Sequence, residues 1–174
     1  MTIEEIKKRF KEVHVADTFG TKKEIKELPM ILKDDETIMY ATSGLFKNNT
    51  WLIVVTDQRV LFLDKGMVFG LKQVEIPLDK VNSVSFKTGL LLGKVTIYHG
   101  SSEMGIDQIT KSTVKPLVDA INREAEKYKN KNSAAETKTV SAADELLKYK
   151  QLLDAGVLTQ EEFDAKKKQL LGLQ

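Results

Sequence analysis

The chain contains no cysteine. That excludes a disulfide framework, a thiol nucleophile and a thiolate metal site, and it is consistent with a reducing cytoplasm. Histidine is nearly absent as well. His14 and His99 lie far apart in sequence with no acidic ligand at metal-binding spacing, so no metal site is expected. No apolar run approaches the ~20 residues of a membrane span, and the start, MTIEEIKKRF, lacks the apolar core of a secretory signal. Neither sign of charge dominates: 27 Lys and Arg stand against 25 Asp and Glu, and the net charge is +2. No segment concentrates enough positive charge for a nucleic-acid footprint. What remains is a 174-residue chain, 41% hydrophobic and 30% charged, with room for one good-sized domain and an appendage. A cytoplasmic location is expected, with any membrane contact made through a partner or a surface patch.

The stretch that organises the chain is Thr50–Gly66, TWLIVVTDQRVLFLDKG. Trp51 to Val55 form an apolar run whose β-branched and aromatic content predicts a strand. Thr56, Asp57 and Gln58 supply a turn, and Gln58–Leu63 alternates as a second strand. Such a hairpin needs a sheet around it and a cap over its core. Further strands are predicted at 36–43, 70–76 (stopped by Pro77), 81–87, 94–99 and 103–108. In the fourth of the seven strands, Val74 and Ile76 alternate against Gln73 and Glu75. In the fifth, Val81 falls on one face and Val84 and Phe86 on the other if Asn82–Ser83 continues without a bulge. Glycines such as Gly66, Gly70, Gly89, Gly93 and Gly100 sit at strand ends, where turns need them.

Helices flank this β region. Residues 2–12 read as a helix with Thr2 and Glu5 as a capping box, and residues 21–28 as a second, N-capped by Thr21 and ended before Pro29. Residues 1–33 are therefore a helical leader packed on a domain over 34–129. After the strands, Val114, Leu117, Val118, Ile121, Ala125 and Tyr128 form one helical stripe over 111–129, with Thr113 as N-cap and Pro116 in the first turn. This helix is expected to plug the open end of the β structure. Residues 130–140 read as a flexible polar linker. Residues 141–174 read as a helical hairpin: Ser141 caps the first helix, Gly156 ends it, and Thr159 and Glu162 form a capping box for the second. A hairpin this small rarely stabilises itself. Self-association is the expected way to cover its apolar residues, with Leu146, Leu147, Leu153, Val157, Leu158, Phe163, Leu170 and Leu171 as the candidate surface.

The candidate contact residues of the β domain are Lys47, Lys65, Lys72, Leu90, Leu91 and Leu92. The three lysines fall near loops at one predicted end. They read as solvated surface residues or, functionally, as a weak anionic-lipid patch. Leu90–Leu92, set between two glycines, either tips a hairpin toward a partner or membrane or continues the flanking strands into the core. Trp51 is expected to pack in the core. Arg59 is expected to pair with Asp57 or Asp64 in a structural role. Asp57, Asp64 and Asp79 are turn formers, since no nucleophile or histidine accompanies them. No catalytic residue and no cofactor site is expected.

Two stretches carry a resemblance to one family, and a third to another. TWLIVVTDQRVLFLD resembles the central hairpin of bacterial pleckstrin-homology-like (PH-like) domains, in which a T-x-x-R turn joins two apolar strands. IPLDKVNSVSF resembles the strand that follows it there. The resemblance covers Asp34 to Tyr128, is nearest the YokE-like subgroup, and implies a seven-stranded β-barrel or sandwich capped by a C-terminal helix. The stretch DELLKYKQLLDAGVLTQEEFDAKKKQLL, Asp144–Leu171, resembles a SHOCT (short C-terminal) domain. Together these resemblances imply a non-enzymatic interaction protein of bacterial or phage origin. Its PH-like domain would bind a protein ligand or surface, and its hairpin would form a homo-oligomer. The alternative they imply is a peripheral membrane adaptor that binds anionic lipid through the domain loops. PH domains that bind inositol lipids carry a basic cluster across the first hairpin. Here the matching stretch, Leu45–Val54, holds only Lys47, which speaks against an inositol lipid.

Overall fold

A computed structural model describes residues 1–66, 70–138 and 142–171. The chain divides into two compact units, Met1–Lys129 and Asn130–Gln174. The first unit opens with α1 (Ile3–Glu12) and α2 (Lys22–Ile31). Seven strands follow: β1 (Ile38–Phe46), β2 (Asn49–Thr56), β3 (Arg59–Lys65), β4 (Leu71–Pro77), β5 (Val81–Thr88), β6 (Leu92–His99) and β7 (Ser102–Thr110). A 3₁₀ turn at Leu78–Lys80 links β4 to β5, and α3 begins at Lys111 directly after β7.

All strand pairs are antiparallel, in the order β4-β3-β2-β1-β7-β6-β5. The sheet is open, because β4 and β5 are its two edges. Of the expected barrel or sandwich, the closed barrel does not form. Between β1 and β7 the register reduces to one pair, Leu45 with Asp107, which divides the sheet into a β1–β4 part and a β5–β7 part. At this crossing Gly44 is required: a Cβ there would sit 2.5 Å from the Ile106 side chain and 2.9 Å from that of Ile109.

The unbroken apolar run of β2 has a simple cause, since β2 and β3 are buried on both faces. On one face Trp51, Ile53, Val55, Val60 and Phe62 join a core completed by the α3 stripe of Val114, Leu117, Val118, Ile121 and Ala125. Trp51 is in this core, with its Nε1–H donated to the Phe46 carbonyl (3.1 Å) and its ring edge-on to Phe46. On the other face Leu52, Val54, Leu61 and Leu63 pack with Ile6 of α1 and Leu28 of α2. The leader is thus the lid of a second core.

Several local expectations need correction. Helix α2 passes through Pro29 to Ile31. The proline forfeits one helical hydrogen bond, but continuing the helix buries Leu28 and brings Leu32 into the same core, and the Leu32 N–H closes the last turn on the Leu28 carbonyl (2.9 Å). The Thr21 hydroxyl donates to the Thr18 carbonyl (2.7 Å) and does not cap α2. A bulge at Asn82 interrupts β5, so Val81 and Val84 both meet the first core. Helix α3 starts two residues before Thr113 and continues to Lys138, which places Pro116 inside it. The Thr113 hydroxyl accepts from Thr42 (3.0 Å) and donates to the Thr110 carbonyl (2.9 Å), fixing the helix start to β1. Residues 130–138, expected as linker, are helical; Ala134, Ala135, Glu136 and Lys138 are good helix formers. Residues 139–140 of that linker and the Ser141 cap lie outside the described residues.

The second unit contains α4 (Ala142–Asp154) and α5 (Gln160–Leu171), packed on each other. Gly156, at φ +72°, ends α4. Its N–H bonds the Leu153 carbonyl and the Val157 N–H bonds the Leu152 carbonyl, both at 2.9 Å. These are the two bonds of a Schellman motif. At α5 the Thr159 N–H reaches Glu162 Oε2 (2.9 Å) and the Glu162 N–H reaches Thr159 Oγ1 (3.3 Å), forming the expected capping box.

Candidate functional site

The β5–β6 hairpin places its apolar tip in solvent. Gly89 donates its N–H to the Leu92 carbonyl (2.7 Å), which closes the turn. The Lys111 N–H, at the start of α3, bonds the Leu91 carbonyl (2.9 Å) and holds the tip against the helix start. Leu90 is 86% exposed, Leu91 74% and Leu92 45%. The leucines do not continue the flanking strands into the core. Three adjacent leucines held in water by main-chain bonds form an apolar patch with no covering among the described residues.

Beside the tip lies a cleft of about 750 Å³ whose charged lining is Lys47, Lys87, Lys94 and Asp107. Leu92 forms part of its wall. Lys47 reaches it from the two-residue β1–β2 turn, where Lys47 and Asn48 have φ of +50° and +64°, the signs of a type I′ hairpin. Its Nζ lies 5.2 Å from the Phe46 ring centroid. Lys87 and Lys94 are register partners directly across β5 and β6. Like charges so placed repel. Among the described residues, relief comes to Lys94, from Asp107 Oδ1 at 3.4 Å. The cleft is thus an electropositive notch next to an apolar prominence.

The structure separates the lysines that sequence reasoning grouped. Lys47 joins the leucine tip, but Lys65 and Lys72 line another cavity, of about 980 Å³, with Phe19 and Glu24 of the leader. Lys65 is ion-paired with Glu27, and Lys72 contacts Asp64 (3.3 Å). Both are already matched to carboxylates. Lys87 and Lys94 were missed, although their symmetric flanking of TGLLLG was a readable hairpin signal. Arg59 also differs from expectation: its guanidinium meets Glu36, Glu75 and the Ile31 carbonyl. Asp57 instead accepts from the Thr37 N–H, and Asp64 from Asn49.

In the hairpin unit the candidate residues fall into two groups. Phe163 is buried, and Leu146, Leu153, Leu158 and Leu170 are half-buried. Leu147, Val157 and Leu171 are exposed, and so is Leu152, which sequence reasoning left out of the surface.

The sequence model described as bacterial PH domain matches residues 32–123, just over half of the chain. The chain belongs to the bacterial PH domain family. The short C-terminal domain (SHOCT) matches residues 144–171. An uncharacterized protein of Archaeoglobus fulgidus is 27% identical over 151 residues, covering 68% of this chain and 79% of that protein. Among solved structures, a pleckstrin homology domain from Shewanella amazonensis aligns at 20% identity with a TM-score of 0.45, covering 63% of this chain and 91% of that one. A DUF1696 family protein with a pleckstrin-homology domain from Shewanella loihica aligns at 16% identity with a TM-score of 0.43, covering 61% and 97%. No helix of the described residues is long and apolar enough to cross a membrane.

Proposed function

We propose that this chain is a non-enzymatic interaction protein of the cytoplasm. Its PH domain presents the Leu90–Leu92 tip and the adjoining lysine cleft to a protein partner, and its SHOCT hairpin joins copies so that weak contacts act together. The observation that carries this reading is the pair of apolar surfaces that stay exposed among the described residues, one on each unit: Leu90 and Leu91 on the first, Leu147 and Val157 on the second. Each leaves leucine or valine in water on a short element fixed by hydrogen bonds. That arrangement costs solubility unless a partner covers it. The test is an affinity capture with the full chain and with a Leu90→Asp, Leu91→Asp variant. A protein retained by the first and lost with the second supports the reading; identical captured sets contradict it.

A second reading places the tip on an anionic bilayer, and the Lys87–Lys94 pair favours it. Two lysines set against each other across a hairpin gain from any anionic surface, at about 1 kcal/mol per basic residue. Co-sedimentation with phosphatidylcholine vesicles, with and without phosphatidylserine, separates the readings. Binding that needs the anionic lipid and falls with salt supports the bilayer; no binding leaves the protein partner.

A further inference from the structure

The two free edges of the open sheet are built differently. The β4 edge carries Lys72, Gln73 and Glu75, all exposed, and ends in Pro77, which has no N–H. Charges and proline are the usual devices that keep an edge from pairing. The β5 edge has neither defence in strength. Over Val81–Thr88 it holds one charge, Lys87, and no proline or glycine. Its last six residues, Ser83–Thr88, pair regularly with β6 and contain no further bulge.

The outward groups can be read from the hairpin. The Gly89–Leu92 bond sets the alternation of an antiparallel ladder. Residues 89, 87, 85 and 83 turn their N–H and C=O toward β6. Those of Val84 and Phe86 therefore point away from the sheet, and no described strand meets them. Val84 packs on the rim of the first core, and Phe86, next along the same face, is 48% exposed.

We propose that β5 pairs antiparallel with β5 of a second copy of this chain, about a two-fold axis at Ser85. In that register Val84 of each copy lies opposite Phe86 of the other. These are the residues with outward-facing N–H and C=O, so the pairing makes four main-chain hydrogen bonds. The same register sets each Phe86 ring beside a Val84 and extends the apolar face from copy to copy. On the opposite face Lys87 meets Ser83, and Ser85 meets its own equivalent, so no like charges oppose each other. The surface is self-complementary, as an isologous contact must be. It is separate from the SHOCT hairpin and goes beyond its proposed role. Because the strands run antiparallel, the two leucine tips leave the joint at opposite ends. That geometry suits a bridge between two partner molecules. A contact of one strand pair is small and weak, so it is best detected by trapping.

The absence of cysteine makes the trap clean. Residues facing each other without mutual hydrogen bonds in an antiparallel pair have Cα atoms about 4.5 Å apart, within disulfide reach. Under mild oxidation at high protein concentration, the full chain with Ser85→Cys is expected to form a disulfide-linked dimer at least about tenfold faster than the chain with Ser102→Cys, an exposed position at the start of β7. Adding Phe86→Lys to Ser85→Cys should return the rate to that of the Ser102 control, with circular dichroism unchanged. Equal rates for Ser85→Cys and Ser102→Cys would overturn the proposal. So would a Phe86→Lys chain that still cross-links at the fast rate. The hairpin is judged separately, by solution mass at low micromolar concentration, so either idea can fail alone.

Discussion

The Arg59 guanidinium meets the Glu36 carboxylate edge to edge, with Nε on Oε1 at 2.9 Å and the second contact, to Oε2, at 2.8 Å. The Glu36 side chain is fully buried and that of Arg59 nearly so. The same guanidinium donates to the Ile31 carbonyl at the end of α2 (3.0 Å) and pairs with Glu75 on β4. One side chain at the start of β3 therefore joins the leader, the entry to β1 and an edge strand. Removing one partner of a buried pair strands the other charge. Arg59→Leu is expected to cost about 3–5 kcal/mol in urea unfolding, and Arg59→Leu with Glu36→Leu distinctly less. A double variant as unstable as the single one would show that the pair is not the cause.

Glu36 also sets a pH dependence. Burial alone would raise its pKa, but bonds from Arg59, the Lys33 N–H and the Thr56 hydroxyl outweigh it and hold the carboxyl below its ordinary 4.5. A carboxyl lowered by folding contributes stability that is present above its unfolded pKa. That contribution fades as pH falls through the lowered value. The wild-type chain should lose stability between about pH 5 and pH 3 more steeply than Glu36→Gln. Parallel urea midpoints for the two chains across that window would refute the assignment.

Gly44 is a packing requirement at the β1–β7 crossing. Gly44→Ala places a methyl group against Ile106 and Ile109, so about 1–3 kcal/mol should be lost in thermal or urea unfolding. A neutral substitution would mean that the crossing opens freely.

Lys87→Ser separates function from stability. It removes half of a like-charge cross-strand pair, so stability should rise by a few tenths of a kcal/mol, up to about 1. Binding to any anionic partner should weaken at low salt. A loss of stability on this change would mean that Lys87 has a structural partner.

Local patterns made much of the fold legible. The seven strands announce themselves through alternation and turn residues, and the Gly156 and Thr159 caps through their spacing. What stayed hidden depends on distant residues. Nothing near Arg59 announces Glu36, and nothing near Lys65 announces Glu27 on α2. Pro29 reads as a stop because the burial of Leu28 and Leu32 is a tertiary effect. The Asn82 bulge, secured by its side-chain bond to the Gly100 carbonyl (2.8 Å), shifts a strand face by one residue, which alternation alone does not reveal. At the candidate site, the exposed Leu90–Leu92 and Lys47 could be read from the turn signals around them. Lys87 and Lys94 come together only through the β5–β6 register, which sets them opposite each other.

Light-scattering mass at low micromolar concentration reads the self-association of the hairpin itself. It compares the full chain with a Leu147→Asp, Val157→Asp variant, which alters exposed positions and leaves the buried Phe163 in place. A multimer is expected for the natural chain and a folded monomer for the variant. The same multimeric mass for both, or a natural chain that is already monomeric, would contradict the assignment of self-association to the hairpin.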